Sequence, residues 1–193
     1  GAPRPTRAMA SHARSRRALL AAHPEIAALQ GHDPRTLAAA LAAVAAQTAL
    51  AALAPRLGAA GLAALAYGAG AVLAHACFLA VHECSHDLVC ATPRGNRLAA
   101  TLANLPALVP FAAEFRRQHR LHHAHLGTAL DPDVPTAAEC RLVGASAPRK
   151  AAYASLQLAA YALRPLALGG CGWSAWHALG LLAQALYAAA VAW

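Results

Sequence analysis

Two long runs without a formal charge, residues 36–55 and 57–81, separated by Arg56 alone, limit what this chain can fold into. Twenty residues of helix at a rise of about 1.5 Å per residue cover about 30 Å, the thickness of a bilayer's hydrocarbon core. Asp33-Pro34 before the first run reads as a helix start, with Asp as N-cap and Pro in the first turn. Pro55-Arg56-Leu57-Gly58 reads as a tight turn. The two runs therefore predict a transmembrane helix hairpin. The alternative is a pair of buried alanine-rich helices in a soluble bundle. Composition alone does not separate them: the apolar share is 59%, against about 45–50% for soluble chains, but much of the excess is weakly hydrophobic alanine.

The formal charge of +8 invites a nucleic-acid reading. Its distribution argues against one. Six arginines precede residue 36, Arg56 stands alone, and the other nine basic residues lie between Arg94 and Arg164. Basic blocks separated by charge-free gaps are the pattern of membrane topology, and the positive-inside rule puts the N-terminal block in the cytosol and the Arg56 turn on the far side. Leu19, Leu20, Ile26 and Leu29 suit a short amphipathic helix on a membrane surface. No signal-peptide pattern occurs, because the first apolar run starts too late and is too long. The Arg and Ser content of the first residues also fits a transit peptide. Five cysteines, an odd number with no CxxC pair, argue against a disulfide framework and read as reduced thiols.

Residues 92–96, Thr-Pro-Arg-Gly-Asn, have the composition of a turn. Residues 98–113 are apolar, but Pro106 and Pro110 break them into a piece too short to span a bilayer. Such a piece lies in the interface or dips in and out. Residues 139–164 are mixed and basic, hence cytosolic; residues 169–172 form a glycine-rich loop; and residues 173–193 are charge-free with tryptophan at both ends, a third membrane helix. The expected fold is all-α and polytopic. It divides into a basic segment (1–35), a transmembrane hairpin (36–81), a cytosolic or interfacial metal-binding region (82–165) and a terminal membrane helix (166–193).

The histidines carry the chemistry. His119, His122 and His123 stand at i, i+3 and i+4, so a helix puts three imidazoles on one face. His82 and His86 stand one turn apart where the second span should leave the membrane. Imidazoles in this number suit Zn, Cu, Fe or Ni. His75, deeper in the span, reads as a packed helix histidine. His82-Glu83-x-x-His86 also fits the HExxH motif of zinc proteases, with Glu83 as general base. Against that reading, the second cluster supplies more imidazoles than one zinc needs, which points to two metals. Interfacial histidines without any metal are the remaining alternative.

The pattern His-x-x-x-His followed by Arg-x-x-His-x-x-His-His resembles the first two histidine boxes of membrane fatty-acid desaturases. Around it, Asn104-Leu105-Pro106 with Pro110, Phe115-Arg116, and His122-His123-x-x-Leu126-Gly127 before Asp131-x-Asp133-x-Pro135-Thr136 are similar to the sphingolipid delta-4 desaturases. So are His23-Pro24-Glu25-Ile26, Asp33-Pro34 and Tyr161-Ala162-Leu163-Arg164-Pro165. The resemblance runs from about residue 16 to residue 170 and implies a non-haem di-iron enzyme of the endoplasmic reticulum membrane. Such an enzyme uses O2, with electrons from NADH through cytochrome b5, to introduce a 4,5 double bond into the sphinganine chain of dihydroceramide. C4-hydroxylation is the sister outcome. His82, His86, His119, His122 and His123 carry over as iron ligands. His125 stands where the family more often has an aromatic residue and is left out. Glu83 becomes a partner that orients an imidazole, and Asp131 and Asp133 either brace the second box or face solvent. The family's third box, of the form HxxHH, does not occur before Trp193. The expectation is an incomplete di-iron site and a chain that is inactive by itself.

Overall fold

In a computed structural model the described residues are 7–128, 130–167 and 172–192, with side chains described from residue 14 onward and not for residues 158–171. They form helices, turns and loops, with no strand among them. Two compact units separate at His32–Asp33. The first holds α1 (Arg7–Ala22) and the one-turn α2 (Glu25–Ala28).

The second unit opens with α3 (Pro34–Leu53). The Asp33 carboxylate accepts from the backbone N–H of Arg35, and Pro34 occupies the first turn, as the sequence predicts. A 3-10 turn at Ala54–Arg56 ends the first arm. The second arm runs through α4 (Ala59–Leu65), a π-helical turn at Ala66–Gly70 and α5 (Ala71–Ser85) as one apolar rod. A π turn disturbs the backbone ladder. Gln47, the most polar residue of the first charge-free run, donates to the Gly70 carbonyl at 3.0 Å and so meets that disturbance from across the hairpin. Both arms are long and apolar enough to cross a membrane.

The second arm continues past Val81 to Ser85, so His82 lies within its last turn and His86 caps it. The chain then enters α6 (Pro93–Asn104). Residues 92–96 are the start of this helix, not a free turn: Thr92 Oγ1 accepts from Gly95 N at 3.0 Å, and Pro93 fills the first turn. The Thr-Pro pair that reads as loop chemistry is an N-cap. Asn96, fully buried, accepts from Val89 N and Cys90 N and donates to the Cys90 and Thr92 carbonyls, closing the α5–α6 connection.

A 3-10 turn at Leu105–Ala107 and Leu108 in the left-handed region (φ 55°) turn the chain through 114° into α7 (Ala112–His125). Buried Asn104 holds this corner. Its Oδ1 accepts from Phe111 N and Ala112 N, and its Nδ2 donates to the Val109 carbonyl. The break expected at Pro106 and Pro110 is thus a built bend. Short α8 (Ala137–Val143) has Thr136 and Glu139 as a reciprocal capping box, and α9 (Ala147–Ala167) follows. The glycine-rich loop at residues 169–172 lies outside the described residues except for Gly172.

α10 (Ala175–Val191) is apolar but has 17 residues, fewer than either hairpin arm. Tyr187 on it meets Thr48 Oγ1 of α3 at 2.7 Å, and Gln184 donates to the Asn104 carbonyl at 2.9 Å. The core where α3, α5, α6 and α7 meet consists of Ala40, Ala80, Ala99, Ala100, Ala103, Ala112, Val81, Cys84, Val89 and Phe115. Small residues let helix backbones approach closely, which in an apolar solvent replaces the hydrophobic drive between helices.

Candidate metal centre

The clustered histidines come from two helix ends. α5 delivers His82 and His86, and α7 delivers His119, His122 and His123. His119 Nε2 lies 2.9 Å from His86 Nε2 and 3.1 Å from His123 Nε2. The His82 and His119 ring centroids are 4.3 Å apart, and the ligating nitrogens of His82, His86 and His119 fall within 4.8 Å of one another. The His122 ring is 5.4 Å from that of His123. All five residues are therefore neighbours. His75 is exposed and stacks on Phe78, away from them, and His125 makes no ring contact with the cluster.

Electrostatics favour the neutral ring at His119 and His86. Burial and the neighbouring imidazoles, His82 first, lower the pKa of His119 to about 4. Burial and His123 push His86 down as well. Neutral imidazole is the ligating form. A neutral imidazole keeps one nitrogen lone pair, and the Nε2 atoms of His86 and His123 both converge on that of His119, so the donor set fits a borderline metal.

Two devices hold the rings in place. The first joins the helices. The last carbonyls of a helix lack partners within it. Arg116 on α7 donates to Cys84 O at 2.7 Å and Ser85 O at 3.1 Å, and Arg120, one turn on, donates to Ser85 O at 2.9 Å. Both guanidiniums also grip Asp87, a residue with φ 63°, Arg116 through two oxygens at 2.8 and 2.9 Å. Burial opposes ionisation of Asp87, but the two arginines outweigh it and hold its carboxyl below the usual range. On α7 the stripe Arg116/Arg120 runs beside the stripe His119/His123, so the contact that caps α5 also sets the α7 histidines against His82 and His86.

The second device braces His122. Its Nδ1 meets Asp131 Oδ1 at 2.8 Å and Asp133 Oδ2 at 3.4 Å. Asp131 is 3% exposed and also accepts from the backbone N–H groups of Gly127 and Asp133. Burial works against its charge, but these donors, Gly127 first, keep its carboxyl below the usual range. A carboxylate on Nδ1 fixes the tautomer and leaves Nε2 free to ligate. His122, Asp131 and Asp133 are also close enough to form a small cation site of their own. The bracing arrangement accounts for them better, because Asp131 already has three donors. Of the two outcomes expected for these aspartates, bracing is the one observed.

Glu83 makes no side-chain hydrogen bond among the described residues, so it does not orient an imidazole. Its charge raises the pKa of His86 slightly against the larger lowering effects. Asp87 and the carbonyl-capping role of Arg116 and Arg120 escaped the sequence reading. The i, i+4 spacing of the two arginines, in step with His119 and His123, was the available signal.

Comparison with known proteins gives a consistent result. Residues 57–193 match the family model described as fatty acid desaturase, and residues 8–35 match the model described as sphingolipid delta4-desaturase. The chain is 41% identical over 180 residues to a sphingolipid delta(4)-desaturase of Komagataella phaffii, covering 92% of this chain and 50% of that one. It is 35% identical over 179 residues to the sphingolipid delta(4)-desaturase of Candida albicans, covering 91% and 48%. It is 38% identical over 158 residues to a human sphingolipid delta(4)-desaturase/C4-monooxygenase, covering 80% and 49%. The chain thus spans about half the length of the curated relatives it matches. No solved structure matches it.

Proposed function

The chain belongs to the fatty acid desaturase family, and on that premise we propose a sphingolipid delta-4 desaturase that places a 4,5-trans double bond in the sphinganine chain of dihydroceramide. The observation that carries the proposal is the meeting of His82, His86, His119, His122 and His123 at the end of an apolar hairpin in a chain with delta(4)-desaturase relatives. The zinc-protease reading of His82-Glu83-x-x-His86 gains no support from the comparisons.

These five histidines are the proposed ligands of a non-haem di-iron centre. When bound, iron there lends O2 the oxidising power to take hydrogen from an unactivated C–H bond, with electrons drawn from NADH through cytochrome b5. The protein's own part is placement and exclusion. Arg116 and Arg120 fix the two histidine-bearing helix ends against each other, and Asp131 holds His122 in its ligating tautomer. Phe115 lies flat on His119 (centroids 5.1 Å, interplanar 10°), with Phe78 and Phe111 packed behind it. This aromatic wall keeps water from the buried side of the centre and offers an alkyl chain an apolar surface.

The order of basic and apolar segments supports a multi-pass protein with its N-terminus in the cytosol, and the family resemblance implies the endoplasmic reticulum membrane. The resemblance implies a third histidine box, in the part of the relatives that this chain does not span. Lipid analysis of a yeast host lacking its own sphingolipid desaturase and expressing the full-length protein tests the function. A 4,5-unsaturated ceramide is expected, and unchanged dihydroceramide would contradict the proposal. The name of the human relative gives a second reading, C4-hydroxylation. The same lipid analysis would reveal it as a 4-hydroxyl.

A further inference from the structure

Beside the histidine cluster, α5, α6, α7 and α10 enclose a cavity of about 320 Å³ that the centre does not use. Arg97, Arg116, Arg117 and Arg120 line it, with Trp176 and His177 on the α10 side. The acids that meet these arginines are Asp87, shared by Arg116 and Arg120, and Glu114, which takes Arg117. Four guanidiniums against two carboxylates leave the wall positive. Arg97 has no carboxylate partner among the described residues; its guanidinium lies 5.3 Å from the Trp176 ring centroid. That contact orients the guanidinium without neutralising it. Arg117 and Arg120 bond through Nε and one terminal nitrogen, which leaves Nη1 of each without a partner among the described residues.

On the α10 side, His177 Nδ1 meets Ser174 Oγ at 2.8 Å, and its buried Nε2 lies 3.5 Å from Glu114 Oε2. His177 thus faces the carboxylate that takes Arg117, and the arginines carry the cavity's excess charge.

We propose that this cavity binds the phosphate of an anionic membrane-lipid headgroup. Guanidinium forks match phosphate oxygens. The cavity lies where α5 ends and α10 begins, with a tryptophan at its edge, which is the level of a bilayer's headgroups. Its concave shape and small volume suit a headgroup, whereas a protein partner needs a surface of roughly 800 Å² per side. Free phosphate presents the same oxygens, and the test separates the two sources.

The test reconstitutes the 193-residue chain in vesicles of phosphatidylcholine with phosphatidic acid, or of phosphatidylcholine alone. It then counts retained lipid by native mass spectrometry after detergent extraction. The wild type should retain phosphatidic acid in preference to phosphatidylcholine. Arg97→Gln should cut that retention roughly tenfold, the worth of a charge-assisted pair. Arg97→Lys should recover part of it, and Arg141→Gln, which removes an exposed charge on α8, should leave it unchanged. Circular dichroism confirms that each variant is folded. Equal losses in Arg97→Gln and Arg141→Gln would mean unspecific charge attraction and overturn the proposal, as would no preference in the wild type. A thermal shift with inorganic phosphate, lost in Arg97→Gln, in a chain that retains no phosphatidic acid would overturn the lipid assignment in favour of a soluble ligand. None of these readouts depends on iron or desaturation.

Discussion

Arg116 and Asp131 act on the histidines without being histidines, and their substitutions should differ in kind. The Arg116 side chain is 13% exposed and satisfies two terminal carbonyls and a carboxylate. Arg116→Ala leaves the Asp87 charge with only Arg120 and uncaps α5, and breaking a buried pair of this kind costs about 3 kcal/mol. The expected outcome is a lower melting temperature in detergent, with Arg116→Lys intermediate because an ammonium cannot fork between carbonyls and carboxylate. Asp131→Asn turns one accepting oxygen into an amide nitrogen that faces a donor, at about 1–3 kcal/mol, and should also lower the metal affinity of the full-length protein by about 10–100-fold, the usual effect of losing a carboxylate behind a histidine ligand. Metal titration checks it, and unchanged affinity would remove Asp131 from the site. The residue types and spacing of the five histidines were legible in the sequence, because helix phasing alone puts His119, His122 and His123 on one face. The Arg116 clamp was not legible, since its main partners are backbone carbonyls and every residue has one.

At the scale of elements, the hairpin could be read from the absence of charge, and the structure extends its second arm to Ser85. The start of α6 was misread because Thr92, Pro93, Gly95 and Asn96 are turn formers by composition. What decides between turn and helix cap is the tertiary placement of Asn96, whose bonds reach back to Val89 and Cys90. The corner between α6 and α7 depends likewise on Asn104. Asn104→Leu should leave Ala112 N–H without a partner, at about 1–3 kcal/mol, leave Phe111 N–H with the Val109 carbonyl alone, and let the 114° bend relax. A loss of both thermal stability and iron from the full-length protein is expected. Stability lost with iron retained would separate the corner from the centre.

In the whole molecule, the proposed topology puts the Arg56 turn and the histidine centre on opposite sides of one membrane. Cys140 is an exposed thiol in the region after the second cluster, and Arg56→Cys would add one at the turn. A membrane-impermeant maleimide applied to sealed microsomes should label Cys140 from the cytosolic face and the new thiol only after the vesicles are opened. Labelling of both from one face would contradict the hairpin. The proposed supply of iron ligands from two helix ends is checked by the iron content of the purified full-length protein. Two irons per chain are predicted for the wild type and for His125→Ala, and a loss of most of that iron for His119→Ala. Zinc in place of iron, or a His119→Ala variant that keeps its iron, would contradict the account.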